Sequence, residues 1–332
     1  FRACIVCGDA CIYHNHIVYD RTKDLTMKKI LSEDSRRIWI FLLTLFLLVG
    51  FISIPLFALK AESGSGLVMA ASVVFMWLPA LATLITRKLT DDKSKLPLKP
   101  LIKKNWKMYV ISAYIPSIVI VLGTSLYFAL FPSHLDLSLT SLKDLIAAHG
   151  QQIQLPMLSI SSLLLIAAGF VLLAPLVFVN HILAFGEEVG WRGYLLPLLC
   201  RKFGVTRGII LDGVLWGAVH APLVAFGVNY AGDYPGAPWS GMLMMIVFAT
   251  SVGVFLSWLT IKTKSIIPAC ISHGVINALR EAPLFICVSN YNALLGPKPS
   301  GLIGMSGFLV IGIVLMLCIK SRDKFIWQEW NG

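Results

Sequence analysis

The stretch MLSISSLLLIAAGFVLLAPLVFVNHILAFGEEVGWRGYLLP, Met157 to Pro197, begins as an almost unbroken apolar run and ends in two adjacent carboxylates and an arginine. About 20 consecutive apolar residues suffice for a helix to cross a bilayer. Residues 157–184 exceed that length, and Glu187, Glu188 and Arg192 follow within six positions of one another. A charged side chain at membrane depth costs roughly 2.5–3.5 kcal/mol on insertion scales. Three of them so close together point to a use.

The rest of the chain is of the same character. Of its 332 residues, 57% are hydrophobic and 14% charged, and the mean hydropathy is +0.79. A soluble domain carries about 25% charged residues. Eight candidate spans are read at 38–59, 66–86, 108–131, 157–184, 207–228, 241–261, 265–288 and 302–319. The expected fold is all-α: a polytopic helical membrane protein of about eight transmembrane helices, with an intramembrane cavity facing the cytoplasm. Residues 38–319 are expected to form a single transmembrane domain whose site lies at about 157–288. An N-terminal segment, 1–37, and a tail, 320–332, flank it.

The net charge of +11 invites a nucleic-acid reading that its distribution opposes. Lys28, Lys29, Arg36 and Arg37 precede the first span, and eight basic residues sit in 87–107. Arg201, Lys202, Arg207, Lys262, Lys264, Lys320, Arg322 and Lys324 fall in alternate connections farther on. The intervening loops carry only Lys60, Lys143 and Lys298, and 229–240 has no base at all. This alternation follows the positive-inside rule with both termini cytoplasmic. The basicity is therefore topological, with anionic membrane lipid as a partner for the 87–107 cluster and nucleic acid excluded. A multi-pass protein of a bacterial plasma membrane is expected.

Met27 opens MKKILSEDSRR, so residues 1–26 read as a leader or a non-native stretch. They contain Cys4, Cys7, Cys11, His14 and His16, a spacing that hints at a zinc knuckle but lacks a second well-placed ligand pair. The other cysteines, Cys200, Cys270, Cys287 and Cys318, lie in or near apolar runs and do not form a disulfide framework. The first apolar run is too long for a signal-peptide core, and no small-residue cleavage site follows it.

Within the spans the polar inventory is short. Glu187, Glu188 and Arg192 end the fourth, His220 lies in the fifth, and His273 and Asn277 lie in the seventh. Glu188 and Arg192 are four apart, so on a helix they share a face and can pair. Glu187 is turned about 100° away, and a carboxylate withdrawn from water is a candidate general base. His273 and Asn277, also four apart, offer two donors in one direction, as an oxyanion requires. Each feature alone has a structural reading: an ion pair, a packed core histidine, a polar staple between helices. Their conjunction on three segments favours a site. Asp212, in GIILDGVLW, is a lone acid read as a helix-end or water-facing residue.

The motifs EEVGWR (Glu187–Arg192), WGAVH (Trp216–His220) and HGVIN (His273–Asn277), in that order on separate apolar segments, resemble the CPBP family. These are the CAAX-protease and bacteriocin-processing intramembrane proteases, including the Ras-converting type of CAAX endopeptidase. The resemblance covers about 160–285. Trp216 departs from the family's usual phenylalanine and, as an aromatic, is expected to serve packing. The resemblance implies endoproteolysis within the membrane of a peptide or lipidated-protein substrate. Glu187 with His220 would activate water, His273 and Asn277 would hold the oxyanion, and Glu188 and Arg192 would support the site. No cofactor is then required. The alternative is zinc held by Glu187, His220 and His273, a set that would have to assemble across helices without an H-E-x-x-H motif.

Other protease classes fit less well, since no G-x-S-G site is present and NYAGDY lacks the first glycine of an aspartyl G-x-G-D motif. A transporter would be expected to show symmetry between its halves, and none is visible. A non-catalytic interaction protein, as in bacteriocin self-immunity, remains the other rival class.

Overall fold

Prolines stand in the first turn of several of the helices. A computed structural model describes residues 6–320 apart from 63, 149, 232 and 233, and gives the backbone alone for 6–29, 145 and 320. Cys4 and the side chains of Cys7, Cys11, His14 and His16, on which the zinc-knuckle spacing rests, lie outside the described residues.

Helix α1 (Val6–Ala58) contains the apolar stretch Ile30–Ala58, on which the first span falls. The second candidate span is broken: α2 (Gly66–Phe75) and α3 (Leu78–Leu89) meet at 40°. Pro79 sits in the first turn of α3, where a missing N–H leaves no bond unmade. Helix α4 (Ile102–Leu130) is again long, and α5 (Thr140–Ala148) is short. Helix α6 (Ile160–Leu173) ends in a 3-10 turn that contains Pro175. A new run then starts at 58° to it: α7 (Phe178–Glu188), a π-helical segment Val189–Leu195, and α8 (Leu196–Phe203). Helix α9 (Val205–Val219) continues into the short α10 (Ala221–Ala225). Helices α11 (Trp239–Thr263), α12 (Ile267–Leu279) and α13 (Ser306–Lys320) complete the bundle.

The protein is all-helical, with no strand among the described residues beyond one isolated bridge, Leu135 to Cys287. Among the described residues, four helices are long and apolar enough to cross a membrane, and up to six if each bent pair is one span. The count of eight is not confirmed. The last candidate has a helix of intermediate length, Ser306–Ile319. The seventh contains only the 13 residues of α12, well short of the ~20 a straight crossing needs.

Close backbone approach holds the core. Gly213 and Gly217 of α9 face α11, where a Cβ on Gly217 would lie 2.5 Å from Cα of Ile246 and one on Gly213 2.7 Å from Cα of Thr250. Such a small-xxx-small stripe lets helices pack where lipid gives no hydrophobic drive to association. Phe41 and Leu45 of α1, Trp191 and Leu195 of the π segment, Leu256 of α11 and Phe308 of α13 share one buried cluster. On the outside, Leu43, Leu47, Phe51 and Ile54 of α1 are exposed, as a lipid-facing surface requires.

The basic connections gather at one end of the bundle. Arg201 makes a bidentate pair with Asp34 at 2.7 and 3.0 Å, and Arg37 lies 3.6 Å from Asp92. Asn105 reaches the Thr263 carbonyl at 3.1 Å. The base-poor loops meet at the opposite end, where the Tyr230 hydroxyl donates to the Ser300 carbonyl at 2.7 Å and Thr124 lies 3.3 Å from the Pro297 carbonyl.

Candidate active site

Glycines set the depth of the acidic pair. A Cβ on Gly186 would stand 2.5 Å from the Met76 carbonyl oxygen, and one on Gly190 would stand 2.7 Å from the Pro79 carbonyl carbon. Helix α7 and the π segment therefore press directly on the break between α2 and α3. The two acids between those glycines are withdrawn from the surface: Glu187 is 6% exposed and Glu188 not at all. π-Helical turns are rare and recur at functional sites, and every residue of this one is buried.

Glu187 and Glu188 part company as their angular offset predicts. Glu187 lines a cavity of about 460 Å³, together with His220, His273 and Asn277. Its Oε2 accepts a hydrogen bond from the Trp216 indole Nε1 at 2.5 Å. Glu188 lies behind the wall. Its Oε1 accepts from Arg192 Nη1 at 3.0 Å and is 2.9 Å from His273 Nδ1. Arg192 Nε lies 3.4 Å from Asp212 Oδ2, an ion-pair distance, and the guanidinium covers the Trp216 ring at 4.3 Å. Asp212, Glu188 and Arg192 are all fully buried.

Two of these contacts correct the sequence reading. Asp212 does not face water; it is the second anion of the Arg192 cluster. An acid in the middle of an apolar run was the available signal, but its partner lies 20 positions away and on another helix. Trp216 packs edge-on to His220 and His273, at 6.0 and 5.2 Å between ring centres. It does more than pack, however, because its N–H positions Glu187.

The histidine tautomers follow from their partners. His220 Nδ1 lies 2.8 Å from the Trp216 carbonyl oxygen, which can only accept, so Nδ1 carries the proton. His273 Nδ1 faces the Glu188 oxygen that also accepts from Arg192, and likewise donates. Both rings thus keep Nε2 for other work. Two carboxylates, Glu188 and Asp212, surround one guanidinium, and His273 reaches the same Glu188 oxygen from the other side.

Glu187, His220 and His273 share the cavity, but among the described residues no three of His, Cys, Asp and Glu gather closely enough to hold a metal ion. Farther along the wall, Glu281 Oε1 pairs with Lys298 Nζ at 2.7 Å and lies 3.6 Å from Arg280 Nε. Burial pulls the Lys298 ammonium below the ordinary lysine range, and Glu281 opposes that shift.

The cavity does not lie toward the basic loops, as expected. Its wall runs from Glu187 to Gly64, Asn229, Ala231, Lys298 and Ser300, residues of the base-poor end. The break after Leu176 explains the difference. With a fresh helix starting at Phe178, Glu187 lies about 14 Å along it and about 24 Å from Phe203 at the basic end, at ~1.5 Å per residue.

Comparison with known proteins agrees with the motifs. Residues 163–279 match the family described as type II CAAX prenyl endopeptidase, Rce1-like, and so include all three motifs. CAAX prenyl protease 2 of Methanococcus maripaludis is 32% identical over 109 residues, which are 32% of this chain and 40% of that protein. The chain thus matches about two fifths of that relative's length. Residues 163–279, which run from α6 to α12 and supply much of the cavity wall, are thus similar to the type II CAAX prenyl endopeptidase, Rce1-like, family.

Proposed function

We propose that this protein is an intramembrane endopeptidase that cuts a membrane-associated, hydrophobic or prenylated peptide by a glutamate-activated water. The observation that carries the reading is that Glu187, His220, His273 and Asn277 line one cavity while their charged partners lie behind it. Trp216 holds one oxygen of Glu187, which leaves Oε1 to take a proton from water. His220 presents an unprotonated Nε2 and acts with it. The hydroxide attacks the scissile carbonyl carbon. As an imidazolium with its Nδ1–H on Glu188, His273 donates from Nε2 to the developing oxyanion, and the Asn277 amide donates beside it. Collapse of the tetrahedral intermediate breaks the C–N bond, and the proton held by Glu187 passes to the leaving nitrogen. The products are a carboxylate and an amine, and no other reactant is needed.

With the basic end cytoplasmic, substrate reaches this cavity from the opposite side of the membrane. The test uses purified, detergent-solubilised protein with a farnesylated peptide and an unprenylated apolar peptide, products being identified by mass spectrometry. Cleavage of either by the wild type and its loss in Glu187→Gln are expected. A Glu187→Gln protein that cleaves at the wild-type rate would remove Glu187 as the base.

A further inference from the structure

A second pocket opens at the other end of the bundle, among the basic connections. It has a volume of about 380 Å³ and lies between the loop after α3, the π segment with α8, and the turn from α11 to α12. Backbone bonds hold these walls in place. The Ile266 N–H donates to the Pro97 carbonyl at 2.9 Å, Arg87 Nη1 donates to the Ser94 carbonyl at 2.7 Å, and the Ser94 N–H donates to Asp92 Oδ1 at 2.9 Å. Four cations line the pocket: Lys95 and Lys99 from the loop, Arg201 from α8 and Lys264 from the turn. The lining acid, Asp92, already faces Arg37 at 3.6 Å. Asp34 matches Arg201 through Nε and Nη2, which leaves Nη1 for another acceptor. Lys95, Lys99 and Lys264 meet no carboxylate among the described residues, so the pocket keeps their positive charge. Tyr194 forms a buried part of the lining, and its hydroxyl, though near Asp92, makes no hydrogen bond. Position in the chain groups Lys95 and Lys99 with the other bases of 87–107. The fold instead joins them to Arg201 and Lys264 and leaves the others outside the pocket. The rim is apolar and open to lipid. Leu101 lines the pocket and is exposed, and Ile102, Trp106 and Val110 follow it at four-residue spacing along the start of α4, all exposed. Residues so spaced share a helical face, and a tryptophan suits the level where headgroups meet acyl chains.

We propose that Lys95, Lys99, Arg201 and Lys264 form a site for the phosphate headgroup of an anionic phospholipid whose acyl chains lie on the exposed face at the start of α4. Phosphate oxygens accept charge-assisted hydrogen bonds from ammonium and guanidinium groups. Unpaired lysines at the membrane surface attract anionic lipid. A headgroup with a net negative charge answers the three unmatched lysines, whereas a zwitterionic one brings its own cation among them. Bound there, the lipid ties the loop after α3 to the π segment that carries Arg192. The site is independent of the peptidase reading, because the cavity lined by Glu187 leads to the opposite end of the bundle.

The experiment titrates the full-length protein in a neutral detergent with dioleoyl phosphatidylglycerol, dioleoyl phosphatidylcholine or inorganic phosphate, and native mass spectrometry reads the bound species. Phosphatidylglycerol should bind roughly tenfold or more tighter than phosphatidylcholine. The triple variant Lys95→Gln, Lys99→Gln, Lys264→Gln, at three exposed positions, should bring the two lipids within about twofold. A second triple variant, Lys88→Gln, Lys103→Gln, Lys107→Gln, removes the same charge from exposed positions outside the pocket and should keep the preference. Phosphatidylglycerol should raise the melting temperature of the wild type and of the second variant but not of the first, as expected of a ligand that binds the folded state. Inorganic phosphate at millimolar concentration should not displace the lipid. Equal binding of the two lipids by the wild type overturns the site. Equal loss of preference in both triple variants assigns the effect to the general charge of that end and overturns the pocket. Displacement of phosphatidylglycerol by an equal concentration of inorganic phosphate makes the ligand a free anion and overturns the lipid assignment.

Discussion

Replacing Glu188 by glutamine should cost stability, and replacing its neighbour Glu187 in the same way should not. Glu188 Oε1 is shared by Arg192 at 3.0 Å and His273 at 2.9 Å, and all three groups are buried or nearly so. Removing one partner of a buried ion pair costs about 3–5 kcal/mol, because the other charge is left uncompensated. Arg192 keeps Asp212 at 3.4 Å, so the lower end applies, about 3 kcal/mol. At roughly 2–4 °C per kcal/mol for a chain of a few hundred residues, the melting temperature should fall by about 6–12 °C. Glu187 makes one hydrogen bond, from Trp216, and a glutamine carbonyl can still accept it. Its melting temperature should stay within about 2 °C of wild type while cleavage is lost. Tryptophan fluorescence during thermal unfolding in detergent, paired with peptide cleavage at a temperature where both variants are folded, reads both quantities. An unchanged melting temperature for Glu188→Gln, or an equal loss for Glu187→Gln, would refute the division into a supporting and a reacting carboxylate.

Four further outcomes are expected. Asn277→Ala should lower kcat by on the order of 10²-fold, the effect of one oxyanion donor, with a melting temperature near wild type. Trp216→Phe retains the aromatic packing but removes the N–H to Glu187, so kcat should fall about tenfold, as for a lost hydrogen bond to a charged group; an unchanged kcat would return Trp216 to packing alone. Chelator treatment should leave cleavage intact, and elemental analysis should find less than one zinc per chain. One tightly bound zinc whose removal and return switch activity would instead make Glu187, His220 and His273 ligands. In sealed vesicles, a cysteine placed at Asn229 and one placed at Lys95, each in a background with the native cysteines replaced, should react with a membrane-impermeant thiol reagent from opposite sides. Labelling of both from one side would contradict the cavity orientation.

The membrane class was legible because it depends on composition and run length, which a bilayer reads directly. The i, i+4 pairs were legible for a similar reason: helical geometry alone puts Glu188 beside Arg192 and His273 beside Asn277. That same periodicity turned Glu187 away from Glu188, and the two do face different surroundings, one lining the cavity and one behind it. What the periodicity could not supply was contact between helices. His273 bonding Glu188, Trp216 bonding Glu187 and Asp212 meeting Arg192 each join segments far apart in the chain.

Apolarity also hid the breaks. A run such as 157–184 looks continuous, because Pro175 is apolar and the residues on both sides are too. Whether such a proline bends a helix or ends it depends on what packs around it. Here the chain restarts at Phe178 at 58°, and that angle moves Glu187 from a helix end to the middle of a span. The end of the bundle to which the cavity leads follows from this break. By itself the sequence determined that the chain lies in a membrane, which connections are basic, and which polar residues are buried at a cost. Only the tertiary structure decided which of those residues meet and to which end of the bundle their cavity leads. The first set follows from local periodicity and transfer energy, the second from packing between helices that no spacing encodes.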